Sequence, residues 1–340
     1  MKIIKFMGMS LLASSLLLGA ASVADKAKNA GLKAIPTDKA ELMKLIDPNK
    51  TISPERLKLG KKLYFEPRLS KSGIISCNTC HNLGLGGVDG VPAATGHNWT
   101  ANPHHLNSPT VYNAVFFDKQ FWDGRSPDLE DQAQGPMQAA PEMAAAPSLV
   151  EARVNSIPAY VDEFKKAYGK DVKVDFVTIT KTIGIFERTL VTPSRFDDYL
   201  NGKEDALSDA EKAGLATFID KGCTSCHTGI ALGGSMQPFP AVGKFKYANV
   251  GDFKGDKNGM VKTPTLRNIT ETAPYFHNGT VWDLKEAVKI MGETQLGMKI
   301  SDEDAAKIVT FFKALDGKKP EIVYPQFPES TLKTPKPDFK

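Results

Sequence analysis

The hydrophobic pattern divides the chain before any single residue is weighed. Residues 1–24 open with Lys2 and Lys5, run through Leu11, Leu12, Leu16, Leu17 and Leu18, and end in Ser22-Val23-Ala24 ahead of Asp25. A basic start, a short apolar stretch and a small-residue exit form the pattern of a secretory signal peptide, with cleavage expected after Ala24. The run is short of the roughly 20 residues a membrane-spanning helix needs, and no later segment approaches that length. Beyond it the pattern turns amphipathic. Ser53-Pro54 opens a helical pattern carrying Leu57, Leu63 and Tyr64. Ser208-Asp209-Ala210-Glu211 is a capping box ahead of Leu215, Phe218 and Ile219. Asp283 opens a third helix, predicted to end at Met291. Residues 318–340 hold five prolines and little periodicity, and read as an extended segment.

These segments fall into two copies of one plan. Pro109-Thr110-Val111-Tyr112-Asn113 recurs as Pro264-Thr265-Leu266-Arg267-Asn268, and Phe121-Trp122-Asp123-Gly124 as Phe276-His277-Asn278-Gly279. Asp128-Leu129 recurs as Asp283-Leu284, all at an offset of 155 residues. Self-similarity on this scale reads as two tandem domains, since solenoid repeats run only roughly 20–50 residues. The expected layout is a signal peptide over 1–24, a first domain over 25–192, a second over 193–318, and a tail over 319–340 that packs back on the first. Pro193-Ser194-Arg195 marks the boundary.

Composition narrows the class. With 41% hydrophobic and 24% charged residues in 340, the chain matches a soluble globular protein and not a disordered or polytopic membrane one. Its 43 basic and 39 acidic residues give a net charge of +4, too even for a nucleic-acid binder. Removing residues 1–24 takes two lysines and no acid, leaving +2. The expected destination is an oxidising, exported compartment, the bacterial periplasm.

The four cysteines are too few for a disulfide scaffold; their placement decides the chemistry. They form Cys77-Asn78-Thr79-Cys80-His81 and Cys223-Thr224-Ser225-Cys226-His227, two c-type haem attachment motifs. Two thiols three positions apart reach the two vinyl groups of one porphyrin, and the next residue, His, sits under the iron as proximal ligand. Zinc binding and disulfide formation are rival uses of a Cys-x-x-Cys pair. Neither requires a His after both pairs, and with 6 His in 340 residues that coincidence is about 1 in 3,000 by composition. The expected fold is mainly α: two tandem cytochrome c-like domains, each with one covalently attached c-type haem supplying much of its apolar core.

The halves differ where a second axial ligand belongs. Met291 ends the predicted helix of the second half, and the aligned position in the first is Pro136. A fixed Met suits an electron-holding haem; a reactive haem needs a vacant or releasable position. Among the other histidines, His97 lies 16 residues after His81 in a loop with Gly84, Gly86, Gly87, Gly90 and Gly96. It is a candidate ligand, the rival reading being a surface loop histidine. Met137 and Met143 compete, although Met is more often core filling. His104 and His105 stay unassigned. His277, in the place of Trp122, reads as a structural donor to a haem propionate or to backbone.

Together these residues resemble the bacterial di-haem cytochrome c peroxidases, over about residues 57–297. The matching strings are Ser76-Cys77-Asn78-Thr79-Cys80-His81-Asn82-Leu83-Gly84, Gly96-His97-Asn98-Trp99, Asn107-Ser108-Pro109-Thr110, Phe121-Trp122-Asp123-Gly124-Arg125, residues 138–143, residues 264–279 and Met291-Gly292. The resemblance implies a low-potential peroxidatic first haem with His97 as displaceable ligand. It implies a high-potential second haem held by His227 and Met291. It places the family's active-site glutamate on Glu142, its glutamine on Gln132 and its inter-haem tryptophan on Trp122. A calcium ion falls on Asn107, Thr272 and Pro274, oxygen donors of the kind Ca²⁺ takes. The related group that matures a tryptophylquinone has Tyr where this chain has Met291, which weighs against that activity.

The function so implied is reduction of H₂O₂ to water with electrons from a small periplasmic cytochrome c or blue-copper protein. The second haem would store an electron and gate the first, in a homodimer. The alternatives are a non-catalytic di-haem electron carrier and a di-haem oxidase of a protein partner.

Overall fold

Short polar residues set the helix starts. In the computed structural model, which describes residues 22–340, Ser53 Oγ accepts the Arg56 amide at 3.2 Å and opens α3. Ser208 and Glu211 exchange bonds as a capping box at the start of α11, each such cap contributing about 1 kcal/mol. Thirteen α-helices occur among the described residues. They are α1 (Val23–Asn29), α2 (Lys39–Ile46), α3 (Pro54–Tyr64), α4 (Cys77–Cys80), α5 (Leu129–Gln132), α6 (Gln134–Gln138), α7 (Pro147–Asn155), α8 (Pro158–Tyr168), α9 (Phe176–Glu187), α10 (Arg195–Leu200), α11 (Asp209–Asp220), α12 (Leu284–Leu296) and α13 (Asp302–Phe312). One antiparallel pair, β1 (Met236–Pro238) and β2 (Met260–Lys262), sets Met236 opposite Lys262. The fold is mainly α, with two cytochrome c-like domains. The helix predicted to stop at Met291 continues to Leu296 and caps on Gly297.

Two cores organise these helices. Leu59, Leu63, Tyr64, Phe164, Ile179, Ile183 and Phe186 gather α3, α8 and α9 into the first. Phe196, Leu215, Phe218, Ile308, Phe311 and Phe312 gather α10, α11 and α13 into the second. Each fully buried Leu or Phe contributes about 1.5–3 kcal/mol. The same device brings the main helices together in both. A Cβ on Gly60 would lie 2.2 Å from Thr182 O, and one on Gly214 would lie 2.1 Å from Lys307 O. Glycine therefore permits backbone-to-backbone approach of α3 on α9 and of α11 on α13.

The segment before α2 reaches the second core. Ala24, Ala27 and Leu32 join the second core, Leu32 bridges Gly229, and Ile35 packs with Ile46 and Val191 in a separate cluster. The Ile35 amide donates to Asp197 Oδ1 at 2.7 Å. An apolar face on a short helix says that it is buried, not against what. Of the signal peptide expected over residues 1–24, residues 1–21 lie outside the described residues; Ser22 caps α1, which begins at Val23.

The tail crosses the first domain. Arg153, 2% exposed, donates to Arg68 O at 2.8 Å, Lys71 O at 3.0 Å and Ser70 O on one side, and to Pro335 O at 3.1 Å and Lys336 O at 2.9 Å on the other. One guanidinium thus ties the tail to the chain entering the first Cys pair. Between the domains, Asn113 and Asn268 both direct Nδ2 to Thr192 Oγ1, at 2.7 and 2.9 Å.

Candidate active site

Each Cys-x-x-Cys-His motif faces its own cavity. In the first, α4 puts Cys77 and Cys80 one turn apart on one face. The His81 ring sets Nδ1 2.9 Å from Pro109 O, and Tyr64 Oη donates to His81 O at 2.5 Å. In the second, His227 Nδ1 lies 3.0 Å from Leu232 O. A ring that donates from Nδ1 to a carbonyl presents Nε2 as a lone pair, the tautomer an iron ligand needs. Burial holds both imidazoles below the usual histidine range, hence neutral.

The four cysteines form no disulfide, and burial raises the thiols of Cys77, Cys80 and Cys223. It pushes Cys80 up to about 12 and Cys223 to about 11. Among the described residues no three His, Cys, Asp or Glu side chains are placed to hold a metal ion, which leaves the zinc reading without a ligand set. Paired thiols, a neutral imidazole and an apolar cavity fit a c-type haem at each motif.

The walls then diverge. The second cavity, about 180 Å³, is lined by Phe218, Leu284, Val288, Ile308 and Phe312, with Met291 also on its wall. The first, about 480 Å³, carries Gln132, Glu142, Arg125 and His104. Pro136, aligned with Met291, lines it without a sulfur; Met137 and Met143 line it from the core. Glu142 sits where burial raises its carboxyl, opposed by the charges of Arg125 and His104. Arg125 stacks on Phe121, 3.4 Å from the ring centroid.

His97 is not among the residues lining the first cavity. Its loop is nevertheless fastened to the wall. The His97 amide donates to Glu142 O at 2.6 Å, and a Cβ on Gly96 would lie 2.1 Å from Pro141 O. His97 Nδ1 is buried with no hydrogen-bond partner. Trp122, 9% exposed, lines both cavities and donates from Nε1 to Asn107 O at 2.9 Å. His277 lines the second cavity among Phe239, Phe245 and Phe253, with its ring 6.4 Å from that of Trp122. Burial depresses it to about 4, so it is neutral. Asn107, Thr272 and Pro274 each line the second cavity.

Two further residues carry no sequence-level signal of function. Glu187, the last residue of α9, lines the first cavity, and burial pushes its carboxyl up to about 8. An acid closing an apolar helix is the only hint. Lys262 is 3% exposed and lines both cavities.

Two c-type haem cradles in one chain, one lined by a thioether and the other by a carboxyl and a carboxamide, define a di-haem oxidoreductase. A family profile described as di-haem cytochrome c peroxidase matches residues 54–205, and a cytochrome c profile matches residues 211–316. The chain is 46% identical to cytochrome c551 peroxidase of Pseudomonas aeruginosa, over 97% of each chain. It is 43% identical to cytochrome c551 peroxidase of Nitrosomonas europaea, over 86% of this chain and 90% of that one. The crystal structure of a MauG-like protein associated with microbial copper homeostasis superposes at a TM-score of 0.67 and 26% identity, covering 78% of this chain and 91% of that one. The chain belongs to the di-haem cytochrome c peroxidase family, and with that come a cytochrome-c peroxidase activity, peroxide as substrate and two haems.

Proposed function

We propose that the first cavity reduces H₂O₂ to water and that the second stores an electron and gates the first, the electrons coming from a small periplasmic cytochrome c or blue-copper protein. The observation that carries this reading is the contrast of walls: Met291 on the second cavity, and Pro136, Gln132 and Glu142 on the first. A c-type haem in each cradle supplies a redox-active iron, held by His81 or His227, for peroxide binding and electron transfer.

The chain's own groups then have distinct tasks. Glu142, raised by burial, accepts a proton from one peroxide oxygen and returns it to the other as the O–O bond breaks. Acid–base work of this kind contributes roughly 10²–10⁴-fold. Gln132, on the same wall, orients peroxide through its amide. Trp122, common to both walls, spans the path between the centres. His97 is the displaceable ligand. Its amide bond to Glu142 O couples any swing of the loop to the catalytic carboxyl, a two-state element biased by the redox state of the second centre. A calcium ion at Asn107, Thr272 and Pro274 fits the donors: Asn107 Nδ2 is engaged by Val91 O at 2.8 Å, which leaves Oδ1, an oxygen, for a hard cation. Export to the periplasm and a homodimer complete the reading. No helix among the described residues is long and apolar enough to cross a membrane.

The test is one-electron reduction followed by H₂O₂ and a reduced cytochrome c. The half-reduced protein is expected to show one high-spin centre and to oxidise the cytochrome. Two centres that stay six-coordinate, with no oxidation, would sink the proposal.

A further inference from the structure

The wall shared by the two cavities holds a buried lysine, Lys262, with no acidic partner among the described residues. Asn107, Pro109, Thr110, Phe117, Trp122 and Lys262 line both sides of it. Lys262 ends β2, and its amide donates to Trp122 O at 2.7 Å, so the strand is stitched to the tryptophan between the centres. Its ammonium makes no hydrogen bond or ion pair among the described residues. Its nearest favourable contact is the Phe117 ring, with the centroid 4.5 Å away. A cation–π contact contributes about 2 kcal/mol when desolvated. Burying a bare ammonium costs several kcal/mol even after relaxation, so the ring does not close the balance, and burial pulls Lys262 down to about 7; an anionic partner is what would hold it charged.

The neighbouring acids are committed elsewhere. Asp123, the one carboxylate whose charge reaches Lys262, is held by Arg125 Nη1 at 2.8 and 3.0 Å. Asp252 faces His104 Nδ1 at 2.9 Å. Glu187 is held largely protonated at neutral pH by burial, and Glu142 has no ion pair with Lys262. The missing partner is therefore an anion that enters with the cofactors. Each c-type haem brings two propionate carboxylates and no other anionic substituent.

We propose that Lys262 is the counter-cation of the haem propionates at the shared wall, and through them an electrostatic coupler of the two centres. This rests on the two-haem reading above. A cation close to a haem stabilises its reduced form, because reduction removes one positive charge from the iron. Placed between the cavities, one ammonium raises both potentials together, and neutralising it lowers both.

The experiment uses the holoenzyme and K262Q and K262R. Haem is counted by pyridine haemochrome, and both midpoints are read by spectroelectrochemistry at one fixed pH. The expected result is two haems per chain in all three proteins, a downward shift of both midpoints in K262Q, and midpoints near the parent's in K262R. Unchanged midpoints in K262Q with two haems bound overturn the role of Lys262 alone. A shift confined to one centre overturns the coupling. Loss of haem from K262R as well as K262Q overturns it too, since a cation at that place then does not suffice. Fewer than two haems in the parent overturns the two-haem reading and the Lys262 proposal together.

Discussion

Asn113 in the first half and Asn268 in the second both take left-handed backbone, at φ 63° and 59°, and both reach Thr192. Gln120 bridges Ser126 and, 155 residues on, Tyr275 bridges Val281. Phe121 and Phe276 share a positive φ. Against this common backbone a few side chains differ. Position 112 is a fully buried Tyr whose hydroxyl donates to Leu83 O at 2.7 Å. Its counterpart, Arg267, is equally buried and forks onto Asp197 at 2.9 and 2.7 Å. Pro136 stands against Met291, and Trp122 against His277. Duplication copied the cradle; substitutions at its wall separated the work. An apolar wall with a sulfur suits holding an electron, and a wall with a carboxyl and an amide suits moving protons.

The sharpest break of that comparison is to remove one cradle at a time. Replacing Cys77 and Cys80 by Ala is expected to remove the first haem and abolish peroxide turnover. Replacing Cys223 and Cys226 is expected to remove the second haem and the stored electron, seen as loss of the half-reduced spectrum. Equal behaviour of the two double variants in haem content and stopped-flow turnover would erase the distinction between the halves. Glu142→Gln comes next. It is expected to lower kcat by roughly 10²–10⁴-fold with both haem spectra intact, and full activity would remove Glu142 from the mechanism.

The third contrast concerns stability. Arg267→Met strands Asp197 without its partner and is expected to cost about 3–5 kcal/mol. Tyr112→Phe removes one neutral hydrogen bond and is expected to cost about 1 kcal/mol. Urea unfolding of the two holoproteins compares them, and equal losses would mean that the buried ion pair is no more critical than the phenol that replaces it.

Much of the fold was legible locally. The Ser53-Pro54 and Ser208 to Glu211 signals open α3 and α11 as expected, and the repeat locates both halves. Leu57 is only half-buried, and Leu59 takes its place in the core. The end of α12 was misjudged because Met291 faces a cavity from the middle of a helix, where nothing in its own sequence signals a stop. The walls were legible only in part. Cys77, His81, Cys223 and His227 announce themselves because covalent attachment demands a fixed local spacing. Lys262 and Glu187 do not, because an isolated charged residue in a mixed sequence is a surface residue until its neighbours bury it.

The amino-acid sequence by itself determined two covalent haem motifs, helical segments around each, and one half without the thioether of the other. These rest on interactions within a few residues of one another. Only the tertiary structure decided that Ala27 and Leu32 serve the second core, that Arg153 ties the tail to the chain entering the first Cys pair, that the His97 loop hangs on Glu142, and that one lysine stands between the two cavities. Many of those partners lie tens to hundreds of residues apart, and the pairing emerges only when the burial of every apolar face is satisfied at once.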